Sequence, residues 1–230
     1  MLRSCLAAVL ALGLAACAAP DVVVPDDPAI EFQARSAAQR IVEVTPRVEA
    51  TAEAVCAERA PQLNCDFEFL IDTNPRAAPN AYQTAAPDGQ PLIVITAPLI
   101  VEARNEDELA FILSHEAAHH IEGHIARQRI NARMGAAIMG QKAGLAPDRR
   151  SLRDAVAFGA AVGARTYAKE FELEADRLGT FIAARAGYDP LRGAEFFFRI
   201  PDPGNVFLGT HPPNADRLRA VAGTAAALGR

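Results

Sequence analysis

The sequence predicts an α+β fold: one mostly helical domain with a small antiparallel sheet beside its central helix. Three observations carry that reading. Apolar residues recur at spacings of three and four through several long windows, as amphipathic helices require. Three short β-type runs cluster between residues 65 and 96, and two of them flank the turn signal Pro87-Asp88-Gly89. The chain has 230 residues, 50% of them hydrophobic, which suits one domain with a sizeable core and is too little for two.

The elements follow in order. Ile30, Ala34, Ala37, Ile41, Val44, Val48, Ala52 and Val55 share one face of a long helix over residues 29–59, which Pro46 kinks or splits. Phe67, Phe69 and Ile71 alternate, so residues 65–71 read as a strand, followed by a Pro-rich loop over 74–80. Residues 81–85 and 91–96 are the other strands. The last contains the continuous apolar run Leu92-Ile93-Val94-Ile95. Asn105 reads as an N-cap with Glu108 completing a capping box, opening a helix that runs to about Arg129. Ala/Gly-rich stretches at 134–143 and 151–164 predict two short helices around Ala146-Pro147-Asp148. A helix over 169–186 is stopped by Gly187 and Pro190. Residues 191–200 predict a helix, whole or broken, 201–214 a loop, and 215–228 the terminal helix.

The ends and the charge set the context. The formal net charge is -5 and no Lys/Arg run exists, which argues against nucleic acid as a partner. No internal repeat is visible, so the chain is not a helical array. Arg3 followed by the apolar run 6–16 reads as a signal peptide, too short to span a bilayer stably. It ends Leu14-Ala15-Ala16-Cys17, which resembles the lipobox of bacterial lipoproteins and implies cleavage before Cys17 and lipidation of its thiol. Ala18, in place of Asp, resembles the pattern of delivery to the outer membrane. The expected organisation is a signal peptide over 1–16, a lipidated tether over 17–28 and a single domain over 29–230. The expected location is the periplasm, lipid-anchored in the inner leaflet of the outer membrane. Cys5 leaves with the signal, so Cys56 and Cys65 remain as an even pair in an oxidising compartment. A disulfide between them would stabilise by roughly 2–3 kcal/mol on the chain-entropy model.

The chemistry concentrates in His115-Glu116-Ala117-Ala118-His119. On a helix, residues four apart stack on one face, so His115 and His119 can hold one zinc ion with Glu116 beside them, the H-E-x-x-H pattern of zinc proteases. Catalytic zinc usually takes three protein ligands and leaves a position open. The extended pattern HExxHxxGxxH fails here, because Glu122 and Ile125 stand where it needs glycine and histidine. A straight helix would turn His124 away from the metal. A carboxylate from the 169–186 helix is the alternative. Glu172 and Asp176 are four apart, so Glu172 can ligate while Asp176 receives an imidazole N–H. Glu170 and Glu174 are expected to face solvent, and His120 and His124 to be structural.

Glu172 followed by Asp176 after HExxH is the gluzincin arrangement. The stretch from Phe171 to Gly179, Phe-Glu-Leu-Glu-Ala-Asp-Arg-Leu-Gly, resembles the E-x-E-A-D-R-x-G segment of the HtpX-like and CAAX-prenyl-protease-type metallopeptidases, metallopeptidase family 48. The lead-in from Asn105 to Ala110, the extra histidine His124, and Thr210-His211-Pro212 followed by Arg217 also resemble that family. The likeness covers about residues 65–225 and is nearest to its soluble, lipid-anchored BepA-like members. It departs in lacking a Gly-rich segment after Asn80-Ala81-Tyr82 and in having no membrane span between HExxH and Glu172, since the longest apolar stretch there, 155–164, is too short. That insert reads as a lid, a membrane-surface contact or a packed helical hairpin.

The resemblance implies one Zn2+ per chain, held by His115, His119 and Glu172. Zinc acidifies water and polarises the scissile carbonyl, while Glu116 takes the water proton and passes it to the leaving amine. The oxyanion donor nominated by the family is His211 or Arg217, and in BepA-like members the histidine can instead plug the zinc. Strand residues Leu92, Ile93, Val94, Ile95 and Thr96 directly precede the HExxH helix and, if they form a sheet edge, could pair with an extended substrate. Two functions follow: a periplasmic zinc endopeptidase acting on polypeptides in envelope quality control, or a largely non-proteolytic assembly factor for outer-membrane proteins with a plugged site.

Overall fold

In the computed structural model, residues 28–145 and 149–230 are described, so the expected signal peptide, the expected lipidation site Cys17 and the expected tether up to residue 27 lie outside them. Helix α1 (Pro28–Arg59) buries the stripe Ala37, Ile41, Val44, Val48, Ala52 and Val55 and runs unbroken through Pro46. Pro46 and Val42 both sit on the exposed face. The carbonyl that proline leaves without its helical partner therefore faces water, and the helix survives. Cys56 near the end of α1 is joined to Cys65, fixing α1 to the approach to the sheet.

The sheet has three strands in the order β1-β3-β2: β1 (Glu68–Asp72), β2 (Ala81–Ala85) and β3 (Pro91–Thr96). It is mixed, where the sequence suggests antiparallel throughout. β2 and β3 form the expected antiparallel hairpin, but β1 pairs parallel to β3, with Phe69 opposite Ile93. The loop after β1 crosses the end of β3 to reach the opposite edge, a span of about 10 Å for two strand spacings, which eight loop residues cover easily.

The central position overturns one expectation. Leu92, Ile93, Val94, Ile95 and Thr96 could pair with substrate only as a sheet edge, yet β3 is bonded on both sides and Ile93, Val94, Ile95 and Thr96 are buried. A strand with two neighbours has no main-chain groups left for a third. Its continuous apolar run is the pattern of a strand covered on both faces.

Helix α2 (Ala97–Glu102) follows β3 directly, with a proline in its first turn, and was not legible as a separate element. Helix α3 (Glu106–Ile121) is the centre of the fold. Its Asn105 Oδ1 accepts from the Glu108 N–H at 2.9 Å, as an N-cap should. The Glu108 carboxylate does not close the capping box. It accepts from the Arg104 N–H at 2.8 Å and takes both arms of the Arg199 guanidinium at 2.5 and 2.7 Å.

The expected single helix to Arg129 is two helices. Gly123 adopts a left-handed φ of 66°, α3 ends, and α4 (His124–Lys142) starts at once. Glycine reaches that conformation without the steric cost other residues meet. Helix α5 (Arg149–Arg165) returns against α4 as a packed hairpin. A Cβ on Gly135 would lie 2.1 Å from the Gly159 carbonyl oxygen, and one on Gly163 would lie 2.1 Å from that of Asn131. Glycines thus let the two backbones touch. No described helix is long and apolar enough to cross a membrane.

Helix α6 (Ala168–Arg185) packs along α3. The expected 191–200 helix is a short turn, α7 (Pro190–Gly193), continued as a 3-10 turn over Ala194–Phe198. Helix α8 (Asn214–Ala227) closes the chain against α6.

Candidate metal centre

The close approach of α6 to α3 builds the site. A Cβ at Gly179 would fall 2.9 Å from the His115 Cα, so only glycine lets α6 lie this near. Two turns earlier on α6, Glu172 reaches the face of α3 that carries His115 and His119. The ligand atoms of these three residues lie within 4.8 Å of one another. His115 Nε2 and His119 Nε2 are 3.0 Å apart, and the Glu172 carboxylate oxygens stand 3.6 and 3.4 Å from them. Zinc bonds of 2.0–2.2 Å in a tetrahedron put neighbouring ligand atoms roughly 3.3 Å apart. The three donors are therefore already spaced for that ion, and two imidazoles with a carboxylate are a donor set it takes.

Electrostatics agree. Asp176 Oδ1 lies 3.0 Å from His115 Nδ1. A carboxylate only accepts, so the proton on Nδ1 is fixed and Nε2 faces the pocket. Burial and the Arg217 charge push His115 down, but hydrogen bonds to Asp176 and Glu172 outweigh them and lift it to about 9. A pocket that draws in a proton this strongly suits a cation. Burial works to raise Glu172, yet His115, His119 and His211 hold it well below the usual carboxylate range. Asp176, fully buried, is likewise kept low by Arg217 and His115 against its burial.

The other expected site residues are placed as follows. Glu116 lines a cleft of about 690 Å³ together with both histidines, Glu172, His211 and Arg217. His211 Nδ1 is 3.0 Å from Glu172 Oε2, on the exposed rim. Arg217 is buried and grips Asp176, Nε to Oδ2 at 2.8 Å and Nη2 to Oδ1 at 2.6 Å, with its guanidinium 4.1 Å from the centre of the Phe197 ring. The free edge facing the cleft belongs to β2, since Pro79, Asn80, Ala81, Tyr82 and Gln83 line it.

Some contacts escaped the sequence reading. Glu174 does not simply face solvent: it accepts from Arg127 at 2.5 Å and stands 3.0 Å from His124 Nε2. His124 Nδ1 lies 2.8 Å from His119 Nδ1, and its ring stacks on Phe171 at 4.7 Å. Burial, with help from His119 and Arg127, outweighs Glu174 and lowers His124 to about 4, so it is neutral near pH 7. The signal that would have found this was Gly123, a helix stop that frees His124 from the register of α3. His120 Nε2 meets the Asn64 carbonyl at 2.8 Å, tying α3 to the disulfide loop.

Comparison with known families decides the affiliation. The profile described as peptidase family M48 matches residues 43–225. The chain belongs to peptidase family M48. A Vibrio cholerae relative is 33% identical over 135 residues, which cover 52% of this chain and 28% of the relative. A Yersinia pestis relative named beta-barrel assembly-enhancing protease is 30% identical over 145 residues, 55% of this chain and 29% of the relative. The chain thus matches under a third of either relative's length. As an M48 member it carries a peptidase fold with a His-His-Glu group able to hold a metal.

Proposed function

We propose that the chain is a zinc-dependent endopeptidase that cleaves misfolded or misassembled polypeptides of the bacterial envelope. The observation that carries this reading is the convergence of His115, His119 and Glu172 on one point, with Glu116 beside them on an open cleft. Zinc held there supplies Lewis acidity and makes water a nucleophile near neutral pH. Glu116 takes a proton from the attacking water and delivers it to the leaving amine. Asp176, held by Arg217, orients His115. In this reading His211, on the rim beside Glu172, donates to the developing oxyanion, and Arg217, bonded to Asp176, acts through that carboxylate.

An extended substrate pairs with β2 in this reading. Thr96 N–H bonds the Asn80 carbonyl and Ala86 N–H bonds the Gln90 carbonyl. By alternation, Asn80, Tyr82, Thr84 and Ala86 spend their main-chain groups on β3, and Ala81, Gln83 and Ala85 present theirs outward. Main-chain pairing with Ala81 and Gln83 would hold varied sequences with weak preference. A lipid on Cys17 would tether the domain in the periplasm, at the inner leaflet of the outer membrane. The name of the Yersinia pestis relative supports assembling barrel proteins as the clients.

The second reading, a largely non-proteolytic assembly factor, is favoured by the His211–Glu172 contact, which places a side chain over the ligand set. Glu116→Gln separates them. The expected result is zinc retained near one per chain, cleavage of casein lost, and a deletion strain left uncomplemented. Full complementation by Glu116→Gln would establish the assembly role instead. Zinc content should fall in His119→Ala and Glu172→Ala.

A further inference from the structure

We infer that His124, Glu174 and Arg127 form a relay that positions His119, setting which of its nitrogens faces the metal. The inference rests on the reading that His115, His119 and Glu172 hold zinc.

Once His119 gives Nε2 to the metal, the hydrogen-bond logic admits one arrangement of protons. The Glu174 carboxylate accepts only, and it is committed to Arg127, at 2.5 Å from Nη1 and 3.3 Å from Nη2. The His124 Nε2 that meets it at 3.0 Å must therefore carry a proton. The ring proton of His119 then sits on its Nδ1, and the His124 Nδ1 that meets it must be bare. That Nδ1 lies 2.8 Å from His119 Nδ1, so the proton between them belongs to His119. With Nδ1 protonated, the Nε2 of His119 is bare, and it is Nε2 that faces His115 and Glu172. The chain Arg127–Glu174–His124–His119 thus delivers a lone pair to the ligand pocket.

Packing holds the relay in place. His124 is 4% exposed and stacks on one face of Phe171 with only 12° between the rings. The Arg127 guanidinium also sits over the Phe171 ring, 4.3 Å from its centre. The left-handed turn at Gly123 makes this possible. On a straight helix a residue five places on lies about 140° around the axis from its start, and His124 could not meet His119. Arg217 and Asp176 do for His115 what this relay does for His119: each histidine has its proton side fixed by a carboxylate held by an arginine. Helix α6 supplies all three carboxylates, Glu172 to the pocket, Asp176 to His115 and Glu174 to His124.

The test measures zinc affinity by chelator competition, beside the melting temperature of the metal-free protein. His124→Phe keeps the stack on Phe171 but removes the acceptor, and is expected to weaken zinc binding by about 10- to 100-fold. His124→Asn places an amide oxygen near the old Nδ1 and is expected to recover most of that loss. Glu174→Ala, at the exposed end of the relay, should weaken binding in the same direction. Independently, ring nitrogen NMR of the zinc-loaded native chain should show protons on His119 Nδ1 and His124 Nε2. The relay is overturned if His124→Phe binds zinc like the native chain, if Asn binds no better than Phe, or if His119 Nδ1 carries no proton. If the native chain itself takes up no zinc, the metal reading fails rather than the relay.

Discussion

A methyl group at Gly179 should damage the protein, whereas the same methyl group at Gly223 should strengthen it. Both glycines lie inside helices, α6 and α8, and alanine is favoured over glycine in a helix interior by about 1 kcal/mol. At Gly223 a Cβ meets nothing within 4 Å, so the full gain is expected. At Gly179 the new Cβ would sit 2.9 Å from the His115 Cα and 3.0 Å from its backbone nitrogen. Carbon contacts settle near 3.5–4.0 Å, so α6 must retreat by roughly 0.6–1 Å. Overpacking of this kind costs about 1–3 kcal/mol, which cancels or exceeds the helix gain. The two variants should differ by that amount, which for a chain of this size is a gap of roughly 2–12 °C in Tm. Melting should be followed with chelator present, so that packing is read apart from metal binding. Zinc binding offers a second measure. Metal sites tolerate about 0.2 Å of error in ligand distance, and Glu172 rides on the displaced helix, so affinity in Gly179→Ala should fall by at least about tenfold. If Gly179→Ala and Gly223→Ala melt alike and bind zinc alike, the close approach of α6 to α3 does not build the site.

Four other outcomes are expected. Because metal-free His115 is raised to about 9, a zinc ion held as proposed would have to displace its proton below that pH. Apparent zinc affinity should then drop about tenfold per unit as pH falls from 9 towards 7, and titration calorimetry in two buffers of different ionisation enthalpy should show about one proton released. The same raised value stabilises the metal-free fold: that contribution is fully present below the unfolded value near 6.5 and is lost as pH rises through 9. Glu108 is 1% exposed and holds Arg199, so Glu108→Ala strands a guanidinium at the head of α3. It should cost about 3–5 kcal/mol by urea denaturation, and a loss under 1 kcal/mol would show that water replaces the pair. Reducing Cys56–Cys65, nine residues apart, should cost roughly 2–3 kcal/mol, with α1 and the start of β1 the first to gain hydrogen exchange.

Legibility in the sequence tracked the range of the interaction. The helix spacing of His115 and His119, the four-residue step from Glu172 to Asp176, the Asn105 cap and the buried stripe of α1 are all set within a few residues. They were readable because local geometry makes neighbours of residues three or four apart. The pairing of β1 with β3 was not readable, because strand order depends on which edge a loop crosses to, and the loop over 73–80 permits either. That one fact moved the candidate substrate edge from Leu92, Ile93, Val94, Ile95 and Thr96 to β2. Glu174 read as solvent-facing because its partners stand 47 and 50 residues away.

By itself, then, the sequence determined the candidate donors: two imidazoles one turn apart, a carboxylate pair one turn apart, and the motifs of a family that combines them. Periodicity alone decides which side chains share a face. Only the tertiary structure decided how those faces meet. The absence of a side chain at Gly179 sets the distance between α3 and α6, and the left-handed turn at Gly123 brings His124 back to His119. Both depend on atoms distant in the chain fitting within ångströms, a constraint that no local pattern encodes.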